Sequence, residues 1–199
     1  MLRATDAELM ERVKRGDEAA FGQIIDRYKD AMVNYLTRLC GCRDRAEDMA
    51  QETFLRLYLT RDRYQESGRL GGYLYRIATN LVRSEARRVR RQRLLSFGLL
   101  GEQDALVDAG RTTPHADMVR REEQDMIQEA IRQLPLNFRL PLVLHEIEGL
   151  SYPDVAQVLG QKQNTIKTRI FRGRRLLQVQ LDGYYNGMGE VHEGQTEQA

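Results

Sequence analysis

The sequence predicts an all-α protein with two helical domains joined by a flexible acidic linker. Apolar residues recur at intervals of three and four almost throughout, β-branched alternation is absent, and only 4 of the 199 residues are proline. The periodicity fades after Leu94, where glycines interrupt it. This stretch contains three acidic residues, Glu102, Asp104 and Asp108, and only one cation, Arg111. The expected division is an N-terminal domain 1–94, a linker 95–115, a C-terminal domain 116–182 and a disordered tail 183–199.

The N-terminal domain should contain four helices. Thr5 stands three residues before Glu8, the spacing of a capping box that opens a short helix. Asp17 can cap the next helix, and Gly41 should end it. The turn-prone segment SGRLGG separates the third helix from the fourth. We expect these helices to cover about residues 6–16, 18–40, 44–59 and 73–93.

The C-terminal domain should begin after the Thr113–Pro114 pair, a cap followed by a first-turn proline, with helix from about Ala116. A short helix should follow Asn137. If Asn137 is its cap, Pro141 affects only the first hydrogen-bonded position of that helix. Two more helices follow this one along the chain.

Those two helices lie in LSYPDVAQVLGQKQNTIKTRIFRGRRLL, with a sharp turn at Gly160. Between Asp154 and Asp182 the chain carries cations and no acidic residue. The apolar face of the second helix should hold Ile166, Ile170, Gly173 and Leu177. The outward face should hold Lys167, Thr168, Phe171 and Arg172. These side chains suit guanine edges, thymine methyls and phosphates, so the pattern indicates a DNA major-groove reader rather than a solvated basic helix.

The fourth helix is a second candidate for nucleic-acid binding, because it contains the run RRVRRQR and begins with Tyr73 and Tyr75. Its polar and cationic positions are Arg76, Asn80, Arg83, Arg87 and Arg88. Aromatic rings among cations suit single-stranded nucleic acid, where bases stack and phosphates pair with arginine. The alternative is that the tyrosines belong to the core.

The third helix has an acidic face within AEDMAQETFLRLY, formed by Glu47, Asp48, Gln51 and Glu52. Such a run is either a solvated face or a docking surface for a basic protein. The sequence pattern leaves both interpretations open.

Composition narrows the function classes. No signal-like or membrane-spanning segment is evident, so a cytoplasmic protein is expected. Cys40 and Cys42 are too close for an ordinary disulfide and lack partners for a zinc site, so we expect no metal and no cofactor. Phosphate loops, HExxH and nucleophile elbows are absent, which argues against an enzyme. One possible binding function is that of a transcriptional regulator that acts by itself on an operator, but this function would leave the acidic face of the third helix unexplained.

Four segments in order resemble the extracytoplasmic-function (ECF) group of bacterial sigma factors. They are DAELMERVKRGDEAAFGQIIDRY, AEDMAQETFLRLY, YLYRIATNLVRSEARR and LPLNFRLPLVLHEIEGLSYPDVAQVLGQKQNTIKTRIFRGRRLL. The resemblance spans about residues 5–93 and 120–181 and implies a protein that binds core RNA polymerase, directs it to promoters and helps to open DNA. Many relatives are also held by an anti-sigma factor.

The resemblance also implies residue roles. Glu47, Asp48, Gln51 and Glu52 would dock on the polymerase clamp helices. The upstream edge of the −10 element would contact Tyr73, Arg76, Asn80, Arg83, Ser84, Arg87 and Arg88. The −35 element would contact Gln163, Asn164, Thr165, Lys167, Thr168, Phe171, Arg172, Arg174 and Arg175. The acidic linker would thread the polymerase cleft.

Three positions depart from the family pattern. Tyr73 stands where Trp is usual, Ser84 where Asp is common, and Asn164 where Gly is usual. Asn tolerates unusual backbone angles better than most residues, so the turn should survive. Together these departures predict an altered promoter preference.

Overall fold

The computed structural model describes residues 4–65, 70–97 and 118–193, and within them it contains helices and turns but no strand. The α-helices are α1 Asp6–Lys14, α2 Glu18–Cys40, α3 Arg43–Leu59, α4 Leu70–Phe97, α5 Met118–Gln133, α6 Leu136–Leu142, α7 Tyr152–Leu159 and α8 Gln163–Glu193. A 3₁₀ turn, Arg61–Arg63, follows α3, and a π-helical turn, Val143–Ile147, follows α6. The all-α prediction is confirmed.

The first two helices begin where the sequence predicts, and α2 also ends there, whereas α1 ends at Lys14, two residues before the predicted end. Thr5 caps α1, and its backbone N–H donates to Glu8 Oε2 at 2.7 Å, which completes the capping box. Asp17 caps α2 by accepting from the backbone N–H of Ala20 at 3.0 Å. Gly41 ends α2 in the left-handed region, at φ 75°.

The core of the N-terminal region forms where α2, α3 and α4 meet. Tyr35 of α2 is fully buried, and its hydroxyl shares a hydrogen bond of 2.8 Å with Thr79 of α4. Leu36, Leu57 and Leu74 are also fully buried and come from the three different helices. Burial of each such side chain contributes about 1.5–3 kcal/mol, so amphipathic packing accounts for the bundle.

The fourth helix begins earlier than predicted and ends later. It starts at Leu70, inside the segment expected to be a turn, because Leu70 is fully buried. Gly71 is tolerated there since it packs under Tyr28; an added Cβ would lie 3.3 Å from Tyr28 Cε1. At its other end α4 runs to Phe97, beyond the predicted boundary at residue 94.

The short helix α6 differs from the prediction. Its cap is Pro135 rather than Asn137, so Pro141 lies inside the helix. Proline has no N–H and its ring crowds the preceding turn, so the regular hydrogen-bond ladder cannot continue through it. The following turn is π-helical, and Glu148 N–H donates to Val143 O at 3.0 Å.

The predicted disordered tail begins at residue 183, but in the structure α8 continues past Asp182 to Glu193. Glycines lower the helix propensity of residues 183–193, but no proline interrupts them. Extending an existing helix also costs less free energy than starting a new one. Tyr184 also contacts α5, where its hydroxyl accepts from Gln133 Nε2 at 3.2 Å. Residues 98–117, with most of the predicted linker and the Thr113–Pro114 start, lie outside the described residues, as do residues 194–199.

The two helical regions share one buried cluster. α7 packs on α4 and α5 packs on α2. Core residues from the first region, such as Leu39, and from the second, such as Leu140 and Val155, belong to that cluster. No helix in the described part of the chain is long and apolar enough to cross a bilayer.

Candidate polymerase and promoter surfaces

The helix–turn–helix predicted around Gly160 is present. Ser151 caps α7, with Asp154 N–H donating to its hydroxyl at 3.4 Å. Gly160 ends α7 at φ 63°, a left-handed conformation that glycine adopts without a Cβ clash. The chain therefore turns sharply from α7 into α8.

α8 has the two faces that the sequence predicts. Ile166 and Ile170 are buried, at 0% and 1% exposure, and Gly173 lets α8 approach α6, where an added Cβ would lie 3.4 Å from Phe138 O. The outward residues Lys167, Thr168, Phe171 and Arg172 are all exposed. Phe171 is 67% exposed, which is unusual for a large aromatic side chain and leaves it available to a partner.

The remaining predicted −35 residues lie before and after these outward residues along α8. Gln163 and Asn164 are exposed and Thr165 is half-buried, all in the first turn of α8. Asn164 is helical there, so it needs no unusual backbone angle. Arg174 donates to Glu146 at 2.8 Å, whereas Arg175 is exposed. A phosphate would have to compete with Glu146 for Arg174.

Most of the predicted −10 residues of α4 lie at the surface. Arg76, Asn80, Ser84, Arg87 and Arg88 are exposed, while Tyr73 and Arg83 are half-buried. Steps of four along an α-helix place Arg76, Asn80 and Ser84 on one side. The structure therefore brings Arg76, Asn80 and Ser84, three of the predicted −10 residues, together on one side of α4.

The two tyrosines of α4 have different surroundings. Tyr75 is 9% exposed and packs edge-to-face on Tyr35 with ring centroids 5.0 Å apart, so the core interpretation is correct for Tyr75. Tyr73 is more open. The Arg76 guanidinium lies 4.9 Å from its ring centroid, and its hydroxyl is 3.2 Å from Thr60 Oγ1. Of these two tyrosines, Tyr73 remains the candidate for base stacking.

Sequence reasoning missed Arg63 and Gln65, which line a cavity of about 420 Å³ together with Tyr73 and Arg76. The signal was present in the cations of TRDRYQ, just before the turn-prone segment. Two arginines beside an aromatic ring suit an unstacked base with its phosphate.

Sequence reasoning also missed Glu85, which positions Arg88. The Glu85 carboxylate accepts from Arg88 Nε at 2.8 Å and from Arg45 of α3. The hydrogen bond from Arg88, followed by that from Arg45, lowers the pKa of Glu85 to about 2. The signal was the three-residue spacing of Glu85 and Arg88 on one helix.

On α3 the predicted acidic face lies at the surface. Asp48 and Gln51 are exposed, and Glu47 and Glu52 are half-buried. Arg43 donates to Glu47 at 2.9 Å and Arg56 donates to Glu52 at 2.7 Å, both one turn away on α3. Exposed pairs of this kind are worth only a few tenths of a kcal/mol, so a basic partner can replace them.

Cys40 and Cys42 are free thiols at the α2–α3 junction. The buried Cys40 thiol donates to Cys42 O at 3.2 Å, and burial raises its pKa, which makes the reactive thiolate scarce. Within the described ranges no cluster of three or more His, Cys, Asp or Glu residues could hold a metal.

Two family models match the chain: Sigma-70 region 2 over residues 24–92 and Sigma-70, region 4, over residues 124–177. The ECF RNA polymerase sigma factor SigW of Bacillus subtilis (strain 168) is 35% identical over 176 residues, covering 86% of this chain and 94% of SigW. The chain belongs to the ECF family of RNA polymerase sigma factors.

Other relatives of this sigma factor agree. The ECF RNA polymerase sigma-E factor of Haemophilus influenzae is 31% identical over 89% of this chain and 95% of its own length. The sigma factor RpoE, solved in complex with the anti-sigma factor NepR from Bartonella quintana, matches with a TM-score of 0.65 and 25% identity. That match covers 81% of this chain and 96% of RpoE.

Family membership decides between the functions that the sequence left open. The region 2 match covers most of α2 and all of α3, and it runs into α4, while the region 4 match contains the helix–turn–helix. The chain is therefore a sigma factor that directs RNA polymerase to promoters, and not a self-standing operator-binding regulator. The family consists of transcription initiation factors.

A first testable prediction concerns Glu85. Its pKa falls from the ordinary 4.5 to about 2 on folding, so its ion pairs stabilise the fold above about pH 4.5, and this stabilisation is lost as pH falls toward 2. In Glu85→Gln, the free energy of unfolding in urea should decline less between pH 5 and pH 3, by about 1 kcal/mol after allowance for solvent screening. Asp62→Asn, which removes an exposed carboxylate, should keep the wild-type pH profile.

Proposed function

We propose that this sigma factor divides promoter recognition among three surfaces. The acidic face of α3 docks on the polymerase clamp helices, α4 captures the upstream edge of the −10 element, and α8 reads the −35 element. The observation that carries the proposal is the outward face of α8. Cationic, hydroxyl and aromatic side chains are exposed on that face, which follows the sharp turn at Gly160, while the opposite face of α8 is buried.

On α8 the base-reading residues would be Lys167, Thr168, Phe171 and Arg172. Lysine and arginine match the acceptors of guanine, and threonine and phenylalanine match the methyl group of thymine. Gln163, Asn164 and Thr165 lie at the N-terminal end, which helix–turn–helix proteins direct at base edges. Arg174 and Arg175 come later and would bind phosphates, which adds affinity without sequence information.

On α4 the proposed contacts are to single-stranded DNA. Tyr73, with Arg76 over its ring, would stack on an unpaired base, and Asn80, Arg83, Ser84, Arg87 and Arg88 would follow the strand. Tyrosine offers less stacking area than tryptophan, so capture should rely more on the neighbouring arginines. The chain supplies position and strand capture, and polymerase performs the chemistry, so we propose no catalysis by this protein and action in the cytoplasm.

An anti-sigma factor is a further proposed partner. The support is the relative RpoE, which was solved in complex with the anti-sigma factor NepR and shares 25% identity with this chain. Purification of the tagged chain from its native cells in the uninduced state would test this.

A reconstituted transcription assay tests the function directly. Core polymerase mixed with the purified chain should initiate at defined positions on a genomic template, as read by sequencing of the transcript 5′ ends. Core polymerase alone, and core with a heat-denatured chain, should lack these start sites. Unchanged start sites on addition of the folded chain would end the proposal.

A second prediction tests the −35 assignment. Lys167→Ala and Arg172→Ala should each lower transcription from a −35-dependent promoter about tenfold or more, since each lost base contact costs about 1–3 kcal/mol. Binding to core polymerase should stay near wild type. Gln178→Ala, later on α8 and exposed, is the matched control and should leave transcription unchanged. Loss of core binding by both variants would contradict the placement of these residues on DNA.

A further inference from the structure

Three arginines converge on a cavity that the proposed promoter contacts do not explain. The cavity has a volume of about 410 Å³ and lies between α4, α6 and the turn that leads from α7 into α8. Arg83 and Arg87 reach it from α4, and Arg169 reaches it from α8. Its volume is within the range of small-molecule sites, which is about 300–1,000 Å³.

None of these three arginines forms an ion pair within the part of the chain that the structure describes. Each guanidinium donates to a neutral oxygen: Arg83 to Leu159 O at 3.3 Å, Arg87 to Ser84 Oγ at 3.0 Å, and Arg169 to Gln161 Oε1 at 2.8 Å. The described residues that line the cavity include no aspartate or glutamate. A guanidinium has five N–H donors, so each arginine can donate further hydrogen bonds to a ligand.

Three other arginines of α2, α4 and α8 differ, because each has a carboxylate partner: Arg38 with Glu148, Arg88 with Glu85, and Arg174 with Glu146. Glu148 also accepts from the Tyr75 hydroxyl at 2.6 Å, so this carboxylate is already engaged by α2 and α4. The charges of Arg83, Arg87 and Arg169 therefore remain unneutralised by neighbouring side chains.

The three charges are close enough to affect one another. Burial lowers the pKa of Arg83, and the positive charges of Arg169 and Arg87 act in the same direction. Buried apolar side chains form another part of the wall; they are Leu136, Leu140 and Leu159. Charges beside an apolar wall are screened less by water, so a bound anion would be attracted strongly and would relieve the repulsion.

Arg169 has no role on the proposed −35 surface. It is half-buried, whereas Lys167 and Thr168 are exposed on the outward face of α8. Its guanidinium lies at the cavity instead. Burial of a cation without an opposite charge costs free energy, which a bound anion would offset.

We propose that this cavity binds a small anion with several phosphate charges, either inorganic tripolyphosphate or the phosphate groups of a nucleotide. Planar guanidinium groups match phosphate oxygens in pairs, and three of them call for more than one negative charge. A DNA duplex does not fit, because its major groove alone is about 12 Å wide. The site goes beyond the proposed promoter contacts: it shares Arg83 and Arg87 with them and adds Arg169.

Isothermal titration calorimetry of the free full-length chain with sodium tripolyphosphate tests the proposal. The buffer contains no divalent cation, since such a cation would neutralise the ligand. We expect one site per chain and binding at least about tenfold tighter than that of sulfate at matched ionic strength, because more charge-assisted hydrogen bonds form. ATP forms the second arm. Tighter binding of ATP than of tripolyphosphate indicates a nucleotide as the ligand, and the reverse order indicates an inorganic polyphosphate.

Variants locate the site. Arg169→Gln should weaken tripolyphosphate binding about tenfold or more through loss of charge-assisted hydrogen bonds. Arg169→Lys should recover part of the affinity, because lysine keeps the charge but lacks the planar fork. Arg90→Gln is the matched control, since Arg90 is an exposed arginine of α4 that does not line the cavity. It should change the affinity by no more than about twofold, because water and salt screen an exposed charge.

Equal weakening by Arg90→Gln and Arg169→Gln would show that the basic surface attracts anions in general, and the proposal would fail. It would also fail if the folded wild-type chain showed no saturable binding of either ligand. If circular dichroism shows that Arg169→Gln is unfolded, Arg87→Gln, at an exposed position, is judged by the same criterion. These titrations contain neither DNA nor polymerase, so failure of the proposed promoter function, seen as unchanged start sites, is a separate result.

Discussion

Asp48→Arg should weaken assembly with core polymerase at least about 30-fold, which corresponds to about 2 kcal/mol. Asp48 is exposed near the middle of the α3 acidic face, between half-buried Glu47 and exposed Gln51. If that face docks on a basic surface, the substitution removes an attraction and adds a repulsion at one place. Titration of labelled variant into core polymerase, followed by anisotropy, measures the dissociation constant.

The control for this reversal is Asp30→Arg, which makes the same charge change at an exposed position of α2. It should assemble with polymerase as wild type does, and both variants should have wild-type melting temperatures because both sites are exposed. Assembly of Asp48→Arg at wild-type affinity would show that the acidic face of α3 is simply solvated. The acidic face would then serve only to form ion pairs within α3, of Glu47 with Arg43 and of Glu52 with Arg56.

Arg139→Ala should lower the free energy of unfolding by about 3–5 kcal/mol. Arg139 is 2% exposed and donates to Leu134 O at 2.7 and 3.1 Å, to Leu39 O at 2.8 Å and to Arg132 O. These carbonyls lie at or just beyond the C-terminal ends of α2 and α5, whose partial negative charges stabilise the buried guanidinium. Alanine would leave several buried acceptors without donors and a space where the side chain was.

Urea denaturation followed by circular dichroism measures this loss, with Arg175→Ala as the exposed control on α8. Arg139→Lys should recover only part of the stability, because one ammonium group cannot reach carbonyls of two helix ends as a planar guanidinium does. A loss below about 1 kcal/mol in Arg139→Ala would show that water replaces the lost donors.

Local patterns predicted most of the helices correctly, for physical reasons that operate within one turn. The capping box of Thr5 and Glu8, the Asp17 cap and the left-handed Gly41 depend on neighbouring backbone groups alone. The same is true of Gly160 and of the two faces of α8, because helical periodicity alone separates Ile166 from Lys167.

The errors fall where a distant contact outweighs a local preference. The segment at Gly71 was expected to turn, but Leu70 is buried and Gly71 fits under Tyr28, so helix α4 begins there. Pro141 was expected near a helix start, yet α6 begins earlier and continues into a π-helical turn. The helix past Asp182 includes Tyr184, which contacts α5. Neither helix propensity nor hydrophobic periodicity indicates which distant residues a segment will contact.

The sequence by itself determined the helical class, the helix–turn–helix with its cationic face, and the acidic face of α3, because side-chain spacing on a helix decides which residues share a surface. Only the tertiary structure decided that Tyr75 is a core residue, that Arg45 of α3 donates to Glu85 of α4, and that Glu148 and Arg139 link the two regions. Those contacts join residues up to 100 positions apart, and packing of whole helices, rather than local spacing, brings such residues within hydrogen-bond distance.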